Sequence, residues 1–299
     1  PGRGGPAPAS EAEVESARAE AEPLLRKAEA DFGRRQARAG GQDAAWLRAV
    51  RQGGTAADRV AAHAVLVQED AVANMGSLDA LLRLTRDARV RGGKRGAAQA
   101  LDALTELFGT SLLPDRKLVA LRDRPLAALP SAGEPRRQAL LFWHVEDAVK
   151  SRYAQFVDAL DELSRDPLRV IKERAMKAAY KLLAEKPEGE RRLLGVLVNK
   201  CGDPERKVAG NAVHLLGQLL GVHPAMRAVV AREVAGLLFR PNVGLRAQYL
   251  AVTFLGQLEL THRGDGPGLA KDLVEAYHDV FKRLMEAAEA RRDARGAGG

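Results

Sequence analysis

The chain has 299 residues, with 47 Lys and Arg against 39 Asp and Glu, a net charge of +8, and one cysteine. Aromatic residues make up 4% of it and hydrophobic residues 46%, nearly all Ala, Leu and Val, a mixture that favours packed helices over a β-sandwich or barrel. The lone Cys201 excludes a disulfide scaffold or a multi-thiolate site and fits a reducing compartment; no apolar run approaches the roughly 20 residues of a membrane span, and PGRGGPAPAS shows no signal-peptide core, so nothing points to secretion.

Residues 1–10 are Gly/Pro/Ala-rich and read as disordered, as do residues 291–299. From Glu11 to Arg38 an Ala/Glu/Arg-rich stretch predicts a charged helix with Leu24, Leu25 and Phe32 as its large apolar groups, so that 1–43 forms an N-terminal segment closed by Gly40-Gly41. From Trp46 helix follows helix. Thr55 opens a helix whose Val60, Ala64, Val67 and Ala71 fall on one face, and Ser77 is expected to cap the next. Gly92-Gly93 precedes a third. A loop over 112–133 carries Pro114, Pro125 and Pro130, and a helix from Glu134 to Arg152 holds Phe142 and Trp143. Residues 44–152 thus read as the N-terminal helical part of a solenoid. No segment alternates with period two for long enough to be a strand, and the fold class is all-α.

The second half carries the strongest pattern. Prolines stand at 167, 187, 204, 224 and 241, so that 167 to 204, 187 to 224 and 204 to 241 each span 37 residues. A long and a short helix in a 37-residue period predicts a HEAT-like α-solenoid of antiparallel helix pairs over 153–290. Asp166 and Asp203 are expected as N-caps, with Pro167 and Pro204 at the first helical position. Ile171, Val208 and Leu245 form one apolar column, Met176, Val213 and Leu250 a second, and Arg174, Asn211 and Gln248 a polar one.

Residues 165–263 hold 17 Lys and Arg against 9 Asp and Glu, while the other 200 residues hold 30 of each, so the net charge belongs to the array. On its first long helix Ile171, Ala175, Ala178 and Leu182 make the buried stripe. Arg169, Lys172, Lys177 and Lys181 lie off it, and Arg206, Lys207 and Arg246 begin the next two long helices. Singly these are ordinary surface cations; together they read as an anion-binding ridge suited to a phosphate backbone. A second cluster, Arg83, Arg86, Arg89, Arg91, Lys94 and Arg95, ends in RGGKRG, which lacks phosphate-loop spacing and reads either as a basic loop for RNA or an acidic protein or as a solvated turn. Phe239, with Arg240 beside it, Tyr249 and Phe254 are candidate anchors for a partner helix, although their spacing also suits a core.

Six histidines form no H-x-x-x-H or H-E-x-x-H, and no G-x-S-x-G, kinase set or dinucleotide fingerprint is present. His144 beside Trp143 reads as a satisfied, partly buried histidine. Cys201 in NKCGDP has no positioned base and reads as structural. No cofactor, metal or small-molecule substrate is expected, and the chain reads as a non-enzyme.

The blocks LLAEKPEGERRLL (182–194), VNKCGDPERKVA (198–209), HLLGQLLGVHPAMRAVVAREV (214–234), LLFRPN (237–242) and RAQYLAVTFLGQ (246–257) resemble the CCAAT-binding-factor domain of the nucleolar complex proteins, a group of CCAAT/enhancer-binding protein zeta-like ribosome assembly factors. The likeness extends upstream through 46–69, 111–118 and 139–150. The family has a larger aliphatic residue in place of Cys201, and its domain continues beyond residue 299. The resemblance implies a factor of the nucleus and nucleolus for early assembly of the large ribosomal subunit, whose partners are precursor rRNA, another nucleolar complex protein and the pre-ribosomal particle, with no membrane. The alternatives are a CCAAT-box DNA-binding coactivator and a pure protein-docking solenoid.

Overall fold

The computed structural model describes residues 9–39, 50, 53–86, 93–241 and 243–296. Among these the chain is helical and without strands, consistent with an α-solenoid. It divides into two compact units, Pro1–Glu190 and Arg191–Gly299. No described helix is long and apolar enough to cross a membrane. The Gly40-Gly41 break, Trp46, Arg89 and Arg91 lie outside the described residues.

In the first unit α1 (Glu11–Ala39) opens on a capping box: the Ser10 hydroxyl accepts the Glu13 N–H, and Glu13 accepts the Ser10 N–H at 2.8 Å. Its contact face is made of small residues. Val14, Ala17 and Ala21 pack on Leu121 and Leu140, with Trp143 at the edge, so α1 lies close against α5 (Glu134–Leu163) and the short turns at Leu121–Asp123 and Leu126–Ala128. Phe32 is buried, whereas Leu24 and Leu25 are only partly covered. The Arg136 guanidinium grips Glu20 at 2.8 and 2.7 Å.

α2 (Ala56–Glu69) opens at Thr55 as the sequence suggests, and Thr55 and Asp58 form its capping box. The helix ends before Ala71, and its buried face is Val60, Ala62, Leu66 and Val67. Asp70 turns the chain by accepting the Ala73 N–H and the Asn74 side-chain amide, so α3 (Met75–Arg86) starts early and Ser77, expected as its cap, is a buried interior residue. α2, α3 and α4 (Lys94–Leu107) pack on one another.

The helix expected over 134–152 runs on to Leu163, because no Gly or Pro intervenes and Phe156, Val157, Leu160 and Leu163 keep the apolar spacing. Residues 152 and 153, where the sequence reading divides the chain, are consecutive in α5. Phe108 stacks on Phe156 at 5.3 Å and meets Tyr153 edge-on at 5.0 Å. α6 (Arg169–Glu185) rests on α4 and α5 through Ile171, Ala175, Ala178 and Leu182, the stripe read from sequence, with Met176, Ala179 and Leu183 also buried.

The second unit takes up α7 (Glu190–Cys201) after its first residue and continues with α8 (Arg206–Val222), a turn at Pro224–Met226, α9 (Arg227–Leu238), α10 (Leu245–Gly256) and α11 (Gly266–Gly296). α9 packs on α10 and α11, and α10 also meets α8. α11 includes 291–296, which the sequence reading places in a disordered tail.

Two expectations about the array change. Pro167 and Pro204 do not occupy the first helical position. Each lies in a turn where the preceding aspartate accepts the N–H two residues on (Asp166 from Leu168 at 2.7 Å, Asp203 from Glu205 at 3.0 Å), and the helix begins after that turn, capped at Leu168 and Glu205. The third row of the column also slips. Ile171 and Val208 are buried but Leu245 is 59% exposed, because the connection over 239–244 is two residues longer than that over 202–205; Ala247 takes the buried place.

Candidate nucleic-acid interface

In the second unit the turn before α8 separates its charges by depth. Lys200 and Asp203 are both buried and paired with each other at 3.2 Å. Asp203 therefore spends its carboxylate inward, and the outer surface of this corner is left to Arg206 and Lys207, both exposed in the first turn of α8, beside the half-buried Glu205. Arg246, in the first turn of α10, reaches back to the Pro204 carbonyl at 3.5 Å, which brings its guanidinium to the same corner. No acidic residue stands in the first turn of α8 or of α10. Cations at the positive end of a helix dipole cost stability unless an anion compensates them, and the free N–H groups there favour the same ligand. Arg206, Lys207 and Arg246 are thus a cluster in space as well as a pattern in sequence.

In the first unit two cations of α6 meet acids of α4. Lys181 pairs with Glu106 at 2.6 Å and Arg174 with Asp102 at 2.8 Å, while Arg169 bridges Glu173 on its own helix at 2.8 Å. The hydrogen bond to Glu106 raises the Lys181 ammonium above its usual range; burial raises the Asp102 carboxyl despite Arg174. Lys172 is half-buried with a partner, and Lys177 is exposed between Arg174 and Lys181 on the helix face. Such surface pairs are worth about 0–1 kcal/mol, so they do not withhold these cations from a polyanion. Sequence reasoning placed Arg174 in a merely polar column and missed its membership of this row.

The Arg83–Arg95 cluster is weaker as an anion site than its composition suggests. Arg86 donates to the Gln155 amide oxygen at 3.3 Å and Lys94 pairs with Asp166 at 2.9 Å, beside a concavity of about 400 Å³ that also holds Asp158, Asp161 and Glu162. Arg83 and Arg95 are exposed.

Of the partner anchors, Phe254 is 5% exposed and belongs to the core, where it floors a concavity of about 640 Å³ with His214, Gly217 and Arg227 at its sides. Phe239 is half-buried with the Arg283 guanidinium 4.8 Å above its ring, and Arg240 is engaged by the Asn199 amide and by Glu233. Only Tyr249 of this set, 70% exposed, stands clear. His144 is partly buried as expected, yet its Nδ1 has no hydrogen-bond partner among the described residues, and burial holds its imidazole below the usual pKa. Cys201 is buried at the end of α7 with its thiol near the Leu197 carbonyl at 3.8 Å, and no group of three or more His, Cys, Asp or Glu among the described residues could hold a metal.

No family model matches the chain. Curated proteins do. It is 44% identical to Protein SLOW WALKER 2 of Arabidopsis thaliana over 281 residues, covering 94% of the chain and 26% of that protein. It is 40% identical to human CCAAT/enhancer-binding protein zeta over 251 residues, covering 82% of the chain and 23% of that protein. To the Ribosome biogenesis protein NOC1 of Chaetomium thermophilum it is 31% identical over 296 residues, covering 92% of the chain and 27% of that protein. The chain therefore spans about a quarter of the length of the relatives it matches.

Proposed function

From homologues that include CCAAT/enhancer-binding protein zeta, Nucleolar complex protein 1 and NOC1, the CCAAT-binding-factor domain family of nucleolar proteins, we propose that the chain acts in the nucleolus as a helical scaffold for assembly of the large ribosomal subunit. In this reading it holds precursor rRNA on cations at the ends and faces of HEAT-like helix pairs, and a second assembly protein elsewhere on the array. The helix lengths support pairs of this kind: α6 and α8 are each 17 residues and begin 37 residues apart, as do α7 and α9, each 12 residues.

The observation that carries the RNA reading is the corner of Arg206, Lys207 and Arg246, where the neighbouring aspartate is turned inward on Lys200. It presents point charges and N–H donors, which suit phosphates, and the sequence carries no helix-turn-helix, zinc-finger or basic-zipper pattern of the kind the CCAAT-box alternative requires. Crosslinking the protein in cells and sequencing the bound RNA tests it. Precursor rRNA reads clustered on large-subunit sequences are expected; their absence overturns the proposal, and recovery of CCAAT-containing chromatin in their place favours the DNA alternative.

A further inference from the structure

We propose that the groove beneath the 112–118 segment of the first unit is a docking site for a peptide of another protein, one with a large apolar side chain followed closely by a carboxylate. The groove encloses about 390 Å³ between that segment and α5. Its helical wall is Phe142, Val145, Glu146 and Val149, spaced i, i+3, i+4, i+7 on one face, and Leu112 and Leu118 close the opposite side.

Three observations define the occupant. Phe142 is 65% exposed and, unlike the similarly exposed Phe281 at 60%, lines a groove of leucine and valine, so a large apolar group is offered at the mouth of an aliphatic groove. Arg116 and Arg124 both bind Glu146, which leaves two guanidinium charges against one carboxylate. Glu146 has nothing further to give: burial alone would raise its pKa, but hydrogen bonds from Arg116 and the Val119 N–H, with Arg124 close by, hold it below the usual carboxylate range. Finally, the Nε of Arg124 is buried and has no acceptor among the described residues. A buried donor without a partner leaves the Arg124 guanidinium short of acceptors, and an incoming carboxylate neutralises the excess charge it shares with Arg116.

The same features disfavour a nucleobase. The Trp143 ring already lies under the Arg124 guanidinium at 5.3 Å, so Phe142 alone remains for stacking, and the walls are leucine and valine, where single-stranded nucleic acid selects aromatic platforms along a basic track. The site shares no residue with the Arg206 corner, and its occupant is a protein whether or not the RNA reading holds.

The experiment measures binding of a fluorescein-labelled peptide carrying Leu-Phe followed by Asp-Glu to the full chain by anisotropy. The same peptide with Asn-Gln in place of the acids, and a short polyuridine, serve as competitors. Binding of the acidic peptide is expected, with at least tenfold weaker binding of the amide version and a similar loss on Phe142→Ser and on Arg116→Ser. Phe142 is largely exposed, so Phe142→Ser keeps the wild-type melting curve. Arg116→Ser gives up its hydrogen bonds to Glu146, which keeps those of Arg124 and the Val119 N–H, and is compared below its own melting transition. Retention of both variants on precursor rRNA is unchanged. Equal binding of acid and amide peptides, indifference to both substitutions, or displacement by polyuridine each overturns the proposal. Loss of rRNA binding by the wild-type chain with peptide binding intact overturns the RNA reading alone.

Discussion

Lys200 and Asp203 form a buried ion pair at 3.2 Å across the turn that joins α7 to α8, with side chains 9% and 3% exposed. The second Asp203 oxygen accepts the Glu205 N–H, so one carboxylate both shapes the turn and neutralises an ammonium that burial would otherwise penalise. Removing a single partner is therefore worse than removing both. Asp203→Ala is expected to cost about 3–5 kcal/mol, read from the urea midpoint by circular dichroism, because it strands Lys200. Adding Lys200→Met should recover a good part of that loss. If the double variant is as unstable as the single one, the turn hydrogen bond and not the charge is what Asp203 contributes.

The adjacent thiol predicts an alkaline dependence. Burial pushes the Cys201 pKa up to about 12, against about 8.5–9 in an unfolded chain. The thiolate is thus favoured by unfolding: the stabilisation is whole below pH 9 and is lost as pH rises from there towards 12, by up to about 1.4 kcal/mol per unit. Burial also raises the Tyr153 phenol, which adds to the loss above pH 10. Comparing Cys201→Ala with wild type isolates the cysteine: the variant's stability should fall less steeply between pH 9 and 10. Equal slopes, or rapid reaction of the native thiol with Ellman's reagent at pH 8, would show that Cys201 is accessible.

Two glycines predict opposite signs for one substitution. A Cβ on Gly217, inside α8, meets no atom within 4 Å, so Gly217→Ala is expected to stabilise by about 1 kcal/mol through helix propensity. Gly189 has φ +70°, and a Cβ there comes within 3.1 Å of Tyr153, whose hydroxyl donates to the Glu188 carbonyl at 3.2 Å. Gly189→Ala should destabilise by about 1–2 kcal/mol from the left-handed backbone alone. Denaturant midpoints for the two variants should shift in opposite directions.

What could be read in advance follows the reach of the interactions. The buried stripe of α6 and the helix start at Thr55 were legible because helix periodicity and helix starts are set within four residues. The caps at Asp166 and Asp203 were recognised as polar signals but misplaced, since an Asp-Pro pair serves a turn as readily as a helix start. The seat of α1 was missed because its contact face is Val14, Ala17 and Ala21, which a search for large apolar side chains passes over. Pairing across elements was beyond reach. Nothing local says that Lys181 meets Glu106, or that Arg116 and Arg124 share Glu146, and for that reason the α6 cations looked freer than they are and the groove at Phe142 went unread.

The cations near α8 and α10 also predict how RNA binding responds to salt. Each phosphate neutralised on a single strand contributes about 0.7 to the slope of log K against log salt, and about 0.9 on a duplex. Replacing Arg206, Lys207 and Arg246 together by Gln should lower that slope by about 2 and weaken binding uniformly across sequences, because phosphate contacts carry no base information. Lys177→Gln should lower it by less than 1. Arg169→Gln and Lys181→Gln should each lower it by a similar amount, since their surface pairs with Glu173 and Glu106 are too weak to withhold them from phosphate. Filter binding of a precursor rRNA fragment between 50 and 200 mM KCl measures all of these. A triple variant with an unchanged slope would mean that the corner faces solvent or protein and that the polyanion, if one binds, lies elsewhere.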